Sequence, residues 1–211
     1  MFFAIDDEQK RRGKSPHELA MINLLLFNLL AAVALLAGSM AEPDSLIAAY
    51  KWLGVALPMA LSLGVILFTW WRAASARGSG HWFVAAHWQL SARRYRVLLV
   101  AYAISAAVVS LAFVGGGGQA ELEHRIADLP PAMQEMERHK LESQDMGSAI
   151  WARIGVVPLL LTVMALIMLE SGALYQAGRG EVPDGVIARF PPPADLPSST
   201  QPLVATGAGE Q

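Results

Sequence analysis

Four long apolar stretches alternate with polar segments along the chain. They run over about 19–39, 53–71, 97–114 and 154–175. Each is close to the roughly 20 residues that an α-helix needs to cross a hydrocarbon core of about 30 Å. The pattern therefore predicts an all-α integral membrane protein with four transmembrane helices in a bundle. A soluble helical bundle is the alternative, but its buried helices do not need apolar runs of this length.

The first apolar stretch also resembles the core of a secretory signal peptide. Basic residues in the segment 10–14 precede it, and the segment 39–41 (SMA) is an acceptable cleavage site. Its length of about 20 residues, however, exceeds the roughly 7 to 15 of a signal-peptide core. We therefore expect an uncleaved anchor, whose helix starts at the segment 15–18 (SPHE) through side-chain capping and a proline in the first turn.

Charged residues are distributed unequally between the two sides of the predicted bundle. Arginine and lysine dominate the segments 10–14 and 72–96, and Arg179 and Arg189 follow the fourth stretch, whereas in the segment 121–145 seven acidic residues outnumber the basic ones. Positive charge accumulates in the cytoplasmic loops of membrane proteins. The chain is thus predicted to lie in a bacterial inner membrane, with the basic N-terminus 1–18 and the C-terminus both in the cytoplasm.

Composition excludes several classes of chemistry. The chain contains no cysteine, so it forms no disulfide, thiolate metal site or cysteine nucleophile. Hydrophobic residues make up 54% of the chain, which is typical of a membrane protein. The basic segments are short and adjoin predicted spans. We therefore expect anionic lipids at the cytoplasmic face as partners, and no nucleic acid.

Two segments outside the spans have distinct compositions. The predicted periplasmic loop, about 115–150, begins with four glycines and contains two helical candidates, 120–129 and 132–146, separated by two prolines. These helices form either a lid over the bundle or a docking surface for a partner. The segment 176–211 is rich in Pro, Gly, Ser and Thr, so we predict a disordered, flexible cytoplasmic tail.

Aromatic and basic side chains are concentrated in the segment 81–96, just before the third predicted span. We expect an interfacial helix whose rings lie in the acyl boundary and whose guanidinium groups contact lipid phosphates. The residues predicted to face lipid are Trp82, Trp88, Arg93, Arg94, Tyr95 and Arg96. His81 and His87 are six residues apart and do not share a helical face, so no metal or haem ligation and no cofactor is expected.

Polar residues within the predicted spans are few, and they fall at two depths when counted from the cytoplasmic edge. The predicted intramembrane polar layer consists of Asn23, Tyr102 and Glu170 at about 6 to 8 Å, and Asn28, Ser62 and Ser105 at about 12 to 14 Å. Such groups normally form hydrogen bonds between helices. Glu170 is the one carboxylate among them and a candidate functional residue, although Arg94 or Arg96 can pair with it.

The sequence contains no recognisable catalytic, cofactor-binding or metal-binding constellation. We therefore expect a non-enzymatic structural or assembly subunit of a larger bacterial inner-membrane complex, such as secretion, conjugation, respiratory or transport machinery, with other membrane protein subunits as partners. One alternative is a small transporter or channel component that uses Glu170, although only Pro58 and Pro158 interrupt the spans. A second is a membrane enzyme that uses His124 and His139 of the outer loop.

Overall fold

The computed structural model describes residues 1–41, 45–78, 80–114, 126 and 129–201, most of which are helical. The elements, in chain order, are β1 (Phe2–Phe3), α1 (Asp7–Ile22), a π-helical segment (Asn23–Asn28), α2 (Leu29–Met40), α3 (Leu46–Ala76), α4 (Trp82–Val114), α5 (Pro131–Gly178), α6 (Asp184–Ile187) and β2 (Ser198–Ser199).

Three helical stretches are long and apolar enough to cross a membrane, judged by length and composition. They are Asp7–Gly38, Trp52–Ala76 and Arg153–Gly178. These stretches coincide with the first, second and fourth predicted spans. The third predicted span, 97–114, is helical as the C-terminal part of α4, and its crossing of a membrane stays a prediction.

Helix α1 begins earlier than the segment 15–18 predicts. Asp6 caps the helix, and its carboxylate accepts a backbone N–H bond at 2.6 Å. Glu8 then forms salt bridges with Arg11 and Arg12 at 2.6 and 2.8 Å, with the spacing that stabilises exposed helical turns. The proline of the segment 15–18 therefore lies inside the helix, and the predicted helix start is wrong.

The chain divides into two compact units. Unit 1 comprises Met1–Phe27, Ala60–Arg96 and Met164–Gln211, and unit 2 comprises Asn28–Met59 and Val97–Val163. Unit 1 contains two clusters of buried apolar residues. One surrounds Phe83 and joins α4 to the two ends of the chain, and the other surrounds Trp88 and joins α4 to α3.

The segment 179–201 packs against the N-terminus within unit 1. Strands β1 and β2 pair in antiparallel register, and α6 buries Val186 in the core. The Phe190 ring stacks on Trp82 with 6.1 Å between centroids. Within the predicted flexible tail, 176–211, the structure therefore shows a packed segment over 179–201, because these scattered apolar side chains find a hydrophobic surface on α4. The last ten residues of the chain lie outside the described part.

The predicted periplasmic loop is described only in part. Helix α5 begins at Pro131 and runs through the second helical candidate, 132–146, into the fourth predicted span. That candidate is therefore confirmed as helical, but it is continuous with the span. The glycine run 115–118 and most of the first candidate, 120–129, lie outside the described residues, so the choice between lid and docking surface stays a prediction.

Helices α4 and α5 approach each other closely within unit 2. A Cβ atom added at Gly155 would lie 2.5 Å from Val109 Cγ2 and 3.4 Å from the carbonyl oxygen of Ser105. Small residues permit such backbone approach between helices in apolar surroundings. In the same unit, the Tyr102 hydroxyl donates a hydrogen bond to Asn28 Oδ1.

Candidate functional site

The carboxylate of Glu170 is buried in unit 1 and bound by two other helices. Its side chain, on α5, is 2% exposed. The Oε2 atom lies 2.5 Å from Nδ1 of His17 on α1, and Oε1 lies 3.3 Å from Nη1 of Arg94 on α4. The same Arg94 nitrogen donates to the backbone carbonyl of Leu169 at 3.0 Å. The contacts of one carboxylate therefore connect three helices at one point.

A second imidazole extends this cluster. The Nε2 atom of His17 lies 2.9 Å from Nδ1 of His87 on α4, and both rings are buried. The ring of Phe83 packs against His87 with 4.7 Å between centroids. Glu170, His17 and His87 thus form a line of three titratable groups inside the protein.

The environment keeps His87 neutral. It precedes the third predicted span, and its burial lowers its pKa to about 3. The neighbouring His17 and, to a smaller extent, Arg94 act in the same direction, because a positive charge there disfavours a second one. A contact with the backbone of Glu181 raises the pKa, but its effect is smaller than those of burial and of His17. No hydrogen bond to Nε2 of His87 is observed among the described residues. The Nδ1 atom of His87 can therefore either donate to His17 or accept from it, according to the tautomer.

The local sequence explains how His17 reaches α4. Four buried residues of α1, Gly13, Pro16, His17 and Ala20, recur at helical spacing and form one face. A Cβ atom at Gly13 would lie 2.7 Å from Cε1 of Phe83. The absence of a side chain at Gly13 therefore lets α1 come close enough for the two imidazoles to meet.

His17 is the residue that the sequence interpretation missed. With a helix expected to start at Ser15, it lies in the first turn and outside the first span. The signal that could have found it is the small and polar stripe Gly13, His17 and Ala20, continued from an earlier cap at Asp6. Likewise, the partner of His87 is not His81 six residues away but His17, which is distant in sequence.

The six residues of the predicted polar layer are all buried: Asn23, Asn28, Ser62, Tyr102, Ser105 and Glu170. Their hydrogen-bond partners do not follow the two predicted depth levels. Tyr102 donates to Asn28, which was placed at the deeper level. Glu170 contacts His17 and Arg94, of which only Arg94 was predicted as a partner.

The aromatic side chains predicted to face lipid are packed inside unit 1. Trp82, Trp88 and Tyr95 are 8%, 5% and 2% exposed. The prediction is therefore wrong for these three. Trp82 is covered by the N-terminal and C-terminal segments, and Trp88 packs with residues of α3. Arg93 and Arg96 are exposed, whereas Arg94 turns inward to Glu170.

Other candidate ligands of the sequence do not form a metal site in the part of the chain that is described. No group of three or more His, Asp or Glu side chains there is placed to hold a metal ion. Of the outer-loop histidines, His124 and the side chain of His139 lie outside the described residues.

Comparison with known proteins gives no relative. No family model, curated protein or solved structure matches the chain.

Proposed function

We propose that the chain is a multi-pass protein of the bacterial inner membrane, with both termini in the cytoplasm, and that it serves as a non-enzymatic structural or assembly subunit of a larger membrane complex. The observation that carries this proposal is the set of contacts around the carboxylate of Glu170. Both carboxylate oxygens are occupied by side chains of other helices.

A carboxylate whose two oxygens both contact side chains of the same chain favours a structural role over the binding and release of a ligand. A carboxylate that binds a transported cation or proton must give up its partners to substrate or water during each cycle. Glu170 is instead buried and balanced by the guanidinium of Arg94. Removal of one partner of a buried ion pair typically destabilises a protein by about 3 to 5 kcal/mol. The contact therefore serves well as a fixed link between α1, α4 and α5.

Extensive apolar surfaces on the helices provide places for neighbouring subunits as well as for lipid. In unit 1, Leu67 and Met168 are exposed, and in unit 2, Leu57 and Leu161 are exposed. Exposure of many large apolar side chains marks membrane or protein contacts. A subunit embedded among other membrane proteins would cover some of these side chains.

The test is purification of the full chain from its host after chemical cross-linking in the membrane. We expect membrane proteins to co-purify at fixed stoichiometry. The neutral-pair variant Arg94→Gln with Glu170→Gln should retain them, because amide groups can preserve hydrogen bonds without either charge. The control Glu170→Leu leaves Arg94 unpaired and should lose them. Recovery of the chain alone from cross-linked membranes would contradict the proposal.

One observation favours a second candidate, a proton-coupled transporter or channel component. The line from Glu170 through His17 to His87 has contacts of 2.5 and 2.9 Å. Imidazole can accept a proton at one nitrogen and release it from the other, so such a line can pass protons. Ionisable groups inside membrane segments commonly mark such pathways.

Reconstitution into liposomes that contain a pH-sensitive dye distinguishes the two candidates. For a structural subunit, the wild-type chain and the neutral-pair variant both give the proton leak of protein-free liposomes. For a transporter, the wild-type chain conducts protons and the neutral-pair variant does not. Loss of a wild-type flux in a variant of unchanged stability would replace the first candidate with the second.

A further inference from the structure

A cavity of about 600 Å³ in unit 1 combines a basic and an apolar lining. It lies where the end of α3, the N-terminal part of α4 and the segment 185–190 meet. Four arginines line it: Arg77, Arg93, Arg96 and Arg189. Its lining contains no carboxylate. The cavity is separate from the Glu170 cluster, none of whose residues line it.

The arginines of the cavity form no salt bridge with a carboxylate within the described part of the chain. Arg77 donates to Gln89 Oε1 at 3.2 Å, and the Gln89 amide in turn donates to the carbonyl of Ala73 at 2.6 Å. This chain of bonds positions one guanidinium while leaving its charge unpaired. Positive charges that line one cavity repel each other, and an anion in the cavity offsets this repulsion.

The chemistry of the ligand follows from the donors. A guanidinium presents N–H groups in a planar fork that matches the oxygens of a phosphate. Several forks around one cavity suit a group with several charged oxygens. The expected ligand is therefore a phosphate ester.

The apolar part of the lining indicates where that phosphate comes from. Trp70, Leu90 and Phe190 line the cavity, and the indole of Trp70 is fixed by a hydrogen bond to the carbonyl of Ala92 at 2.9 Å. The cavity also lies at the end of the candidate span Trp52–Ala76, which Arg77 directly follows. A phosphate beside apolar atoms at a membrane boundary is the arrangement of a phospholipid headgroup.

We propose that this cavity binds one phosphate ester per chain, held by Arg77, Arg93, Arg96 and Arg189, and that the headgroup of an anionic phospholipid supplies it. The site is a discrete pocket, in contrast to diffuse attraction of a basic surface to a membrane. It goes beyond the proposed function and does not depend on it. A soluble phosphate ester is the other source of the same chemistry, and the test separates the two.

The experiment uses the full chain in a neutral detergent and native mass spectrometry. Phosphatidic acid, phosphatidylglycerol and phosphatidylcholine are added in separate titrations, and glycerol 3-phosphate is the soluble probe. The pocket variant is Arg93→Gln with Arg189→Gln. Its matched control is Arg72→Gln with Arg179→Gln, which removes the same charge from exposed arginines that do not line the cavity. Thermal unfolding verifies that both variants are folded.

We expect one retained molecule of an anionic lipid per wild-type chain and no retained phosphatidylcholine. The pocket variant should bind about 30-fold more weakly, which corresponds to about 1 kcal/mol for each arginine at an anionic lipid. The control variant should bind as the wild type does. If glycerol 3-phosphate binds with the same dependence on the pocket arginines and the lipids do not bind, the phosphate site is supported but the proposal of a phospholipid ligand is wrong. Equal weakening in both variants, or no binding of any probe, would overturn the site.

Discussion

The close approach of α4 and α5 at Gly155 predicts a specific penalty for the smallest possible side chain. In Gly155→Ala, the new Cβ would lie 2.5 Å from Val109 Cγ2, about 0.9 Å short of the 3.4 Å at which ordinary contact begins, and 3.3 Å from the Val109 backbone nitrogen. Valine in a helix is held to one rotamer, so the backbones must separate. Overpacking of this kind costs about 1 to 3 kcal/mol.

A glycine of the same helix provides the matched control. A Cβ atom added at Gly172 would meet nothing within 4 Å, so Gly172→Ala should stabilise α5 by about 0.5 to 1 kcal/mol through helix propensity alone. That gain also applies at Gly155. The difference in unfolding free energy between the two variants therefore isolates the steric term, which we expect to be about 1 to 3 kcal/mol.

The assay is equilibrium unfolding in mixed micelles by titration of SDS, followed by far-UV circular dichroism. The free energy of unfolding should fall in the order Gly172→Ala, wild type, Gly155→Ala. A difference between the variants of less than about 0.5 kcal/mol, with Gly155→Ala as stable as Gly172→Ala, would refute the inference that α4 and α5 are in backbone contact there.

Three further predictions concern unit 1. Glu170→Gln and Arg94→Gln should each lower the unfolding free energy by at least about 2 kcal/mol, because each single change leaves one charge uncompensated. The double variant should come within about 1 kcal/mol of the wild type. The same SDS titration measures all four proteins, and additive effects of the two changes would contradict the charge pairing. The folded-state pKa of His87, lowered from 6.5 to about 3, means that the unfolded chain binds more protons between these values, so this contribution to stability is complete above pH 6.5 and is lost as the pH falls towards 3. Between pH 7.5 and 4.5 the wild type should therefore lose about 3 kcal/mol more than His87→Gln, and equal losses would show that His87 does not stay neutral. Finally, Phe190→Ala should accelerate protease cleavage of the segment 179–201 about tenfold, since loss of the stacking on Trp82 makes local opening easier by about 1.4 kcal/mol; the control Pro193→Ala, at an exposed site, should leave the cleavage rate unchanged.

The apolar pattern predicts the helices well, because helix length and hydrophobicity are local properties of the sequence. The segments 19–39, 53–71, 97–114 and 154–175 are helical wherever the structure describes them. Burial of polar residues such as Asn23 and Ser62 also follows from their scarcity in apolar helices. Helical segments and the burial of their polar side chains can thus be read from the local sequence.

Which side chains meet cannot be read in the same way. The choice of Asn28 as the partner of Tyr102 depends on the rotation of each helix about its axis, which counting along the chain does not give. The contact of His17 with Glu170 spans 153 positions in sequence, and it depends on a cap at Asp6 that extends α1 backwards. Trp82 shows the same limit, because its covering surface comes from the far end of the chain.

The pairing of β1 with β2 has a consequence for the order of events during synthesis. Phe2 pairs with Ser199, so about 200 residues must leave the ribosome before the first strand meets its partner. At roughly 5 to 20 residues per second this takes on the order of 10 to 40 s. For most of that interval Phe2 lacks its strand partner and Phe3 lacks Val182 and Val186, so unit 1 closes only after its third segment arrives. A chain stopped before Val182 would therefore leave a nascent intermediate with an exposed N-terminal hydrophobic surface, a substrate for chaperones and proteases.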